Sequence, residues 1–417
     1  MSETRPCPVC AGVARRVLHR QRFQDGPLGD GYDVVVCQAC GAGFADGIPS
    51  QERLDRYYAQ QSKYTYDHAK GAESPYDIKR FEIIADQVIP FLPSHDARIL
   101  DIGCATGGLL SVFKQRGFSN VLGIDPSPVC VEAARRLHGV KVRVATLAQL
   151  AGWHERFDLV LMVGVLEHLR EVQPAVRAVV ARLNPGGLFY GAVPDVEGLA
   201  ACHNAPYQQF SVEHVNFFSG QSLSRLMTVC GLTPRQTWRQ MVEWREGITE
   251  SVVSGIYSFT PSGEVPSSKF QVPKSLPSFA LKSSVFHIES EQMAAPDRTT
   301  APALERYLVL CREQDEKLYA IIERLVRSQE PILVWGGGTL TRRLLATSRL
   351  AEANIVGFVD SNPGIQGHRL ADREIFSPTQ IAGRNEAIMV CSKAFEREIV
   401  GMIRDQLHLT NQVILLG

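Results

Sequence analysis

Between residues 97 and 237, short apolar runs alternate with stretches whose apolar side chains recur at three- and four-residue steps; the runs are ARILDIG, VLGID, VRVAT, FDLVLMV and GLFYGAVP. Runs of that length separated by amphipathic helices predict a parallel sheet covered on both faces. Ahead of them, residues 49–95 read as helical through RLDRYY and DIKRFEIIADQVIPFL, and residues 1–48 hold a strand-like run at 32–36. Behind them, roughly 254–302 is rich in Ser and Pro and shows no period, as expected of a loop, insertion or linker. Residues 303–328 carry the spacing of a long amphipathic helix. Alternation then restarts at PILVWGGG and continues through NIVGFVDSN, EAIMVCS and QVILLG, which predicts a second α/β unit. The expected divisions are 1–75, 76–245, 246–302 and 303–417.

The 417 residues include 44 basic and 44 acidic side chains, a balance that argues against a chain built to coat nucleic acid or anionic membrane through its net field. The longest strongly apolar run, near 159–166, is far short of the roughly 20 residues that cross a bilayer. The start, MSETRPCPVCAG, lacks an apolar signal core. With ten cysteines, four paired closely and six scattered, the chain reads as a reduced, cytoplasmic protein.

The close pairs are Cys7-Pro-Val-Cys10 and Cys37-Gln-Ala-Cys40. A two-residue gap lets both sulfurs of a pair face one ion, and two pairs complete a tetrahedral thiolate site that suits structural zinc. Gly12 and Gly41 suit the turns of such knuckles. Four unrelated cysteines, a redox pair and an iron–sulfur cluster are the competing readings.

The richest motif is ILDIGCATGGLL. A strand ends at Asp101, Gly103 and Gly107 follow, Ala105 stands where a dinucleotide fingerprint has glycine, and a helix begins near Leu109. Glycine is expected there for close approach of a ligand to the backbone, and Asp125, closing the next strand, can accept hydrogen bonds from both hydroxyls of a ribose. This D-x-G-x-x-x-G arrangement resembles the class I S-adenosylmethionine-dependent methyltransferases. The resemblance extends to FDLVLMVGVLEHL and LNPGGLFYGAVP, and places Thr146 and Leu147 beside the adenine.

Two Glu-His pairs, Glu167-His168 after the fourth strand and Glu213-His214 in FSVEHVNFFS, fall in carboxyl-side loops where open α/β folds bind ligands. Residues 63–71, KYTYDHAKG, offer Tyr64, Tyr66 and His68 as a lid over such a site. Packing and structural hydrogen bonding are the plain alternatives for all of them.

The order of cysteine knuckle, VLEHL core, EHVNFFS and trailing α/β unit resembles the zinc-containing sugar C-methyltransferases that act on nucleotide-linked keto-deoxysugars. That resemblance implies a class I methyltransferase (Rossmann-like) core with a small zinc-binding N-terminal domain and a C-terminal Rossmann-like domain. It also implies S-adenosylmethionine as cofactor, His214 as base assisted by Glu213, and His168 with Tyr66 or Tyr64 placing the sugar. Where the family often has tyrosine two places before the glutamate, this chain has Ser211. In the C-terminal unit, Gly336, Gly337, Gly338 and Asp360 look like a second Rossmann-type turn, which in relatives helps form the sugar-nucleotide cleft. The competing functions are a small-molecule O- or N-methyltransferase, an RNA base methyltransferase, and a non-catalytic zinc-ribbon module.

Overall fold

The computed structural model describes residues 4–60, 73–260, 282–286 and 295–416. They fall into two compact units: Met1–Arg16, Val35–Cys202 and His214–Leu304 belong to the first, and Val17–Val34, His203–Glu213 and Glu305–Gly417 to the second. The chain thus passes between units more often than divisions at 75, 245 and 302 allow.

Strands β1 (Arg15–Arg22), β2 (Gly31–Cys37) and β3 (Gly43–Asp46) precede helices α1 (Gln51–Gln60) and α2 (Pro75–Val88). Ser74 starts α2 by accepting from the Asp77 amide, and Pro75 at the first helical position lacks the N–H that would otherwise be orphaned. Then β4 (Ile99–Ile102), α3 (Gly108–Gln115), β5 (Val121–Asp125), α4 (Pro128–His138), β6 (Val142–Val144), β7 (Phe157–Val163), α5 (Val172–Val180) and β8 (Leu183–Pro194) alternate as the apolar runs predict. They are followed by β9 (Asn216–Phe217), α6 (Gly220–Val229), β10 (Leu232–Arg245), β11 (Ile248–Phe259) and β12 (Lys282–Phe286).

The main sheet has the order β12-β10-β11-β8-β7-β4-β5-β6. Strands β8, β7, β4, β5 and β6 are parallel, and β11 joins β8 antiparallel. This is the expected class I methyltransferase, Rossmann-like fold. Chain order reverses at β4, so the loops leaving β4, β5 and β7 open on one crevice. Alternation along the central strands divides the core by face. Leu100, Ile102, Val160 and Met162 pack with Val176, Val179 and Leu226, while Ile99, Leu159 and Leu161 pack with Ile84, Val88, Leu110 and Phe113. A second sheet has the order β1-β2-β3-β9.

Strand β11 carries regular structure as far as Phe259, into the stretch from 254 that was expected to show no period. Its side chains Ser251, Ser254 and Ser258 are each at most 2% exposed, so polar residues occupy buried places and hide the alternation.

The second unit takes most of α7 (Thr300–Ser328), the expected long helix, and α8 (Thr339–Thr347) and α9 (Glu396–Gly401). Its C-terminal part carries β13 (Ile332–Trp335), β14 (Ile355–Val359), β15 (Arg369–Leu370), β16 (Arg373–Phe376), β17 (Ala387–Val390) and β18 (Val413–Leu415). They form a sheet in the order β15-β16-β14-β13-β17-β18, parallel except for β15. Leu318, Ile322, Leu344 and Phe358 lie in its core, and Arg343 donates two 2.7 Å bonds to the Asp315 carboxylate inside it.

Candidate active site

The loop after β4 has Gly103, Ala105 and Gly107 all at positive φ. For the two glycines the structure supplies a reason other than ligand approach. A Cβ on Gly103 would lie 2.7 Å from Val165 Cγ2, and one on Gly107 would lie 2.6 Å from Val140 Cγ2. The glycines therefore let protein pack on protein, and the first holds the β4 loop directly against the loop that follows β7.

Asp125, nearly buried, accepts from the Ala105 amide at 2.9 Å through one carboxylate oxygen and from the Ser127 amide at 2.9 Å through the other. Each oxygen keeps a second lone pair, which fits the expected ribose hydroxyls. Burial raises the Asp125 carboxyl above its ordinary range, although the two amides work in the opposite direction. Burial, with Asp125 nearby, raises Asp101 well above that range. Thr146 caps the 3-10 turn Leu147–Gly152, and Leu147 packs against the core. A contact that sequence reasoning missed pins the loop from outside. Glu73 accepts from the Thr106 hydroxyl at 2.7 Å and meets His138 Nε2 at 2.7 Å.

His168 and His214 come together although 46 residues separate them in sequence; their ring centroids lie 5.0 Å apart. The backbone explains it. The Val215 amide donates to the Glu167 carbonyl at 2.7 Å, and the Asn216 side-chain amide donates to the Leu166 and Leu169 carbonyls, each at 2.7 Å. Arg5, 4% exposed, locks the far side. Its guanidinium donates to the carbonyls of Ala45, Arg170 and Val215 and to Asn216 Oδ1, while its own amide donates to Asp46. Burial, and Arg170 next, lower its pKa to about 9.

Glu167 Oε1 lies 3.9 Å from His168 Nε2, and Glu167, His168 and His214 form one cluster of ligand atoms within 4.8 Å of each other. Glu167 is thus a carboxylate grouped with His214 that sequence reasoning did not place there. The Glu213 backbone amide donates to Ser211 Oγ at 3.2 Å. On His168 the phenol partner is Tyr58, its hydroxyl 3.0 Å from Nδ1. Sequence reasoning saw Tyr58 only as part of an amphipathic helix; Tyr64, Tyr66 and His68 lie outside the described residues.

The four knuckle sulfurs converge, with Cys7–Cys40 and Cys10–Cys37 Sγ distances of 3.5 Å and all four within 4.8 Å of one another. A tetrahedron of thiolates about 2.3 Å from one ion has edges of roughly 3.8 Å, so the set fits a single cation. Burial pushes the Cys10 thiol up to about 11.

In the second unit the turn after β13 repeats the Asp125 arrangement. Asp360 accepts from the Gly337 amide at 2.7 Å and the Asn362 amide at 2.8 Å, and Gly336 has φ +111°.

Residues 76–237 match the family model of the methyltransferase domain. A ubiquinone biosynthesis O-methyltransferase of Methylocella silvestris is 32% identical over 181 residues, which cover 42% of this chain and 63% of that one. One of Azorhizobium caulinodans is 40% identical over 102 residues, covering 23% and 40%. The chain thus spans less than two thirds of either relative. Among solved structures, the N-methyltransferase NodS of Bradyrhizobium japonicum is 17% identical, with a TM-score of 0.36 over 50% of this chain and 97% of that one. The match to the methyltransferase domain supports the expected S-adenosylmethionine-dependent methyltransferase.

Proposed function

We propose that the chain transfers a methyl group from S-adenosylmethionine to a small-molecule acceptor whose proton His214 removes. The supporting observation is the packing of Val165 on Gly103, which sets the turn carrying Glu167 and His168 against the cofactor loop. Asp101, Gly103, Ala105, Gly107, Asp125, Thr146 and Leu147 would hold the donor, Asp125 through the ribose. When bound, the donor supplies an electrophilic methyl on a sulfonium, so alignment and acceptor deprotonation are what remain for the protein.

His214 takes the proton, with Glu167 close enough to favour the imidazolium. His168, oriented by Tyr58, donates to the oxygen on which charge develops. The acceptor we favour is a carbon next to a carbonyl in a nucleotide-linked keto-deoxysugar or related keto metabolite, on the combined pattern of cysteine cluster, core and paired histidines. Zinc on Cys7, Cys10, Cys37 and Cys40 would be structural, since four protein ligands leave no open position. Methylation of a hydroxyl is the second reading, favoured by the matched O-methyltransferases. Deuterium exchange at the acceptor α-carbon in D2O with S-adenosylhomocysteine bound decides: wash-in that disappears in His214→Ala is expected. Methyl on oxygen without any wash-in would select the second reading.

A further inference from the structure

We propose that Glu167, His168 and His214 form a second divalent-metal site, separate from the cysteine cluster, and that filling it silences the base. Two imidazoles and one carboxylate are a donor set for a borderline first-row cation, and three ligands leave positions open to water or an acceptor oxygen. Hard cations such as Mg2+, which call for oxygen ligands, do not suit it.

The geometry is close to what binding needs. Ligand atoms about 2.0–2.2 Å from one ion stand roughly 3–3.6 Å apart, and the His168–Glu167 pair is already at 3.9 Å. The arms are fixed by backbone: the Val215 amide on the Glu167 carbonyl and the Asn216 staple hold the two histidine-bearing segments in register. Tyr58 supplies the outer partner. When a cation takes the place of the Nε2 proton, His168 adopts the Nδ1–H tautomer, Nδ1–H donating to the Tyr58 oxygen and the Nε2 lone pair facing the Glu167 side, the arrangement metal-ligating histidines commonly adopt. Glu167 is 3% exposed, so its carboxylate is more than a solvated surface charge.

The consequence for chemistry rests on the reading of His214 as base. A ring lone pair given to a cation is not available to a proton, so a metal-filled site cannot perform the deprotonation.

Co2+ is the probe, added to full-length protein already carrying one equivalent of zinc, with neither cofactor nor acceptor present. A second equivalent is expected, with weak visible bands of nitrogen and oxygen ligation and no intense thiolate charge-transfer band. His168→Ala and His214→Ala are each expected to lose the second equivalent while retaining zinc and S-adenosylhomocysteine binding, which shows that they fold. Tyr58→Phe should weaken the second equivalent by about tenfold. Binding of one equivalent only, or a second that persists in His168→Ala/His214→Ala, overturns the site. Exchange at the acceptor that is undiminished when the second equivalent is bound overturns the silencing. Metal stoichiometry is read without any reaction, so failure of the methyl-transfer reading would not be mistaken for failure of this one.

Discussion

Single carboxylates and imidazoles carry the proposed chemistry, and two changes probe individual carboxylates. Asp125→Asn places an NH2 where an oxygen now accepts a backbone amide, so the β4 loop loses a charge-assisted bond worth about 1.5–3 kcal/mol. Calorimetry should show S-adenosylhomocysteine affinity falling about tenfold or more. Glu73 offers a pH signature. Burial pushes its carboxyl up, but the hydrogen bonds from His138 and Thr106 outweigh it, and the net shift is downward. A lowered acid stabilises the fold above its ordinary value, about 4.3, and that stabilisation is lost as pH falls through the lowered value. Melting temperatures of wild type and Glu73→Gln should therefore differ at pH 7 and converge as the pH falls below the ordinary carboxylate range.

Among the elements, the 166–168 turn and the 214–217 segment decide where the histidines meet, and Arg5 is the fastener they share. Arg5→Ala would leave the carbonyls of Ala45 and Val215 without their guanidinium partner inside the protein, a destabilisation of about 2–5 kcal/mol by denaturant titration. Turnover should fall further than S-adenosylhomocysteine affinity, because the Asp125 loop does not depend on Arg5. The cofactor loop was legible in sequence because backbone geometry forces a run of Asp, Gly and Gly at fixed offsets. The convergence of the cysteines was legible because two pairs, each with a two-residue gap, are the spacing that lets four sulfurs meet. Arg5 was not, since one arginine bonding four distant groups leaves no local period. Grouping Glu167 with His214 was equally out of reach, since nothing local in the sequence signals the Val215–Glu167 backbone bond that brings the two segments together. Strand β11 escaped notice because its buried serines imitate a linker.

For the molecule as a whole, two units with separate cores predict two responses to ligand and mutation. Saturating S-adenosylhomocysteine, at 100 times its Kd, should stabilise the first unit by about 2.7 kcal/mol and leave the second where it was in a calorimetric scan. Asp315→Ala strands the buried Arg343 and should lower the second by about 3–5 kcal/mol. Chelation of the proposed zinc should melt the knuckle lobe first, since crowded thiolates need their cation. Arg5 stands two residues before the first knuckle cysteine and grips the histidine-bearing segment through Val215 and Asn216. On the proposed zinc and methyl-transfer readings, metal supply becomes a licence for catalysis: a chain made under zinc starvation would go on sequestering methyl donor while lacking any seat for the molecule it modifies.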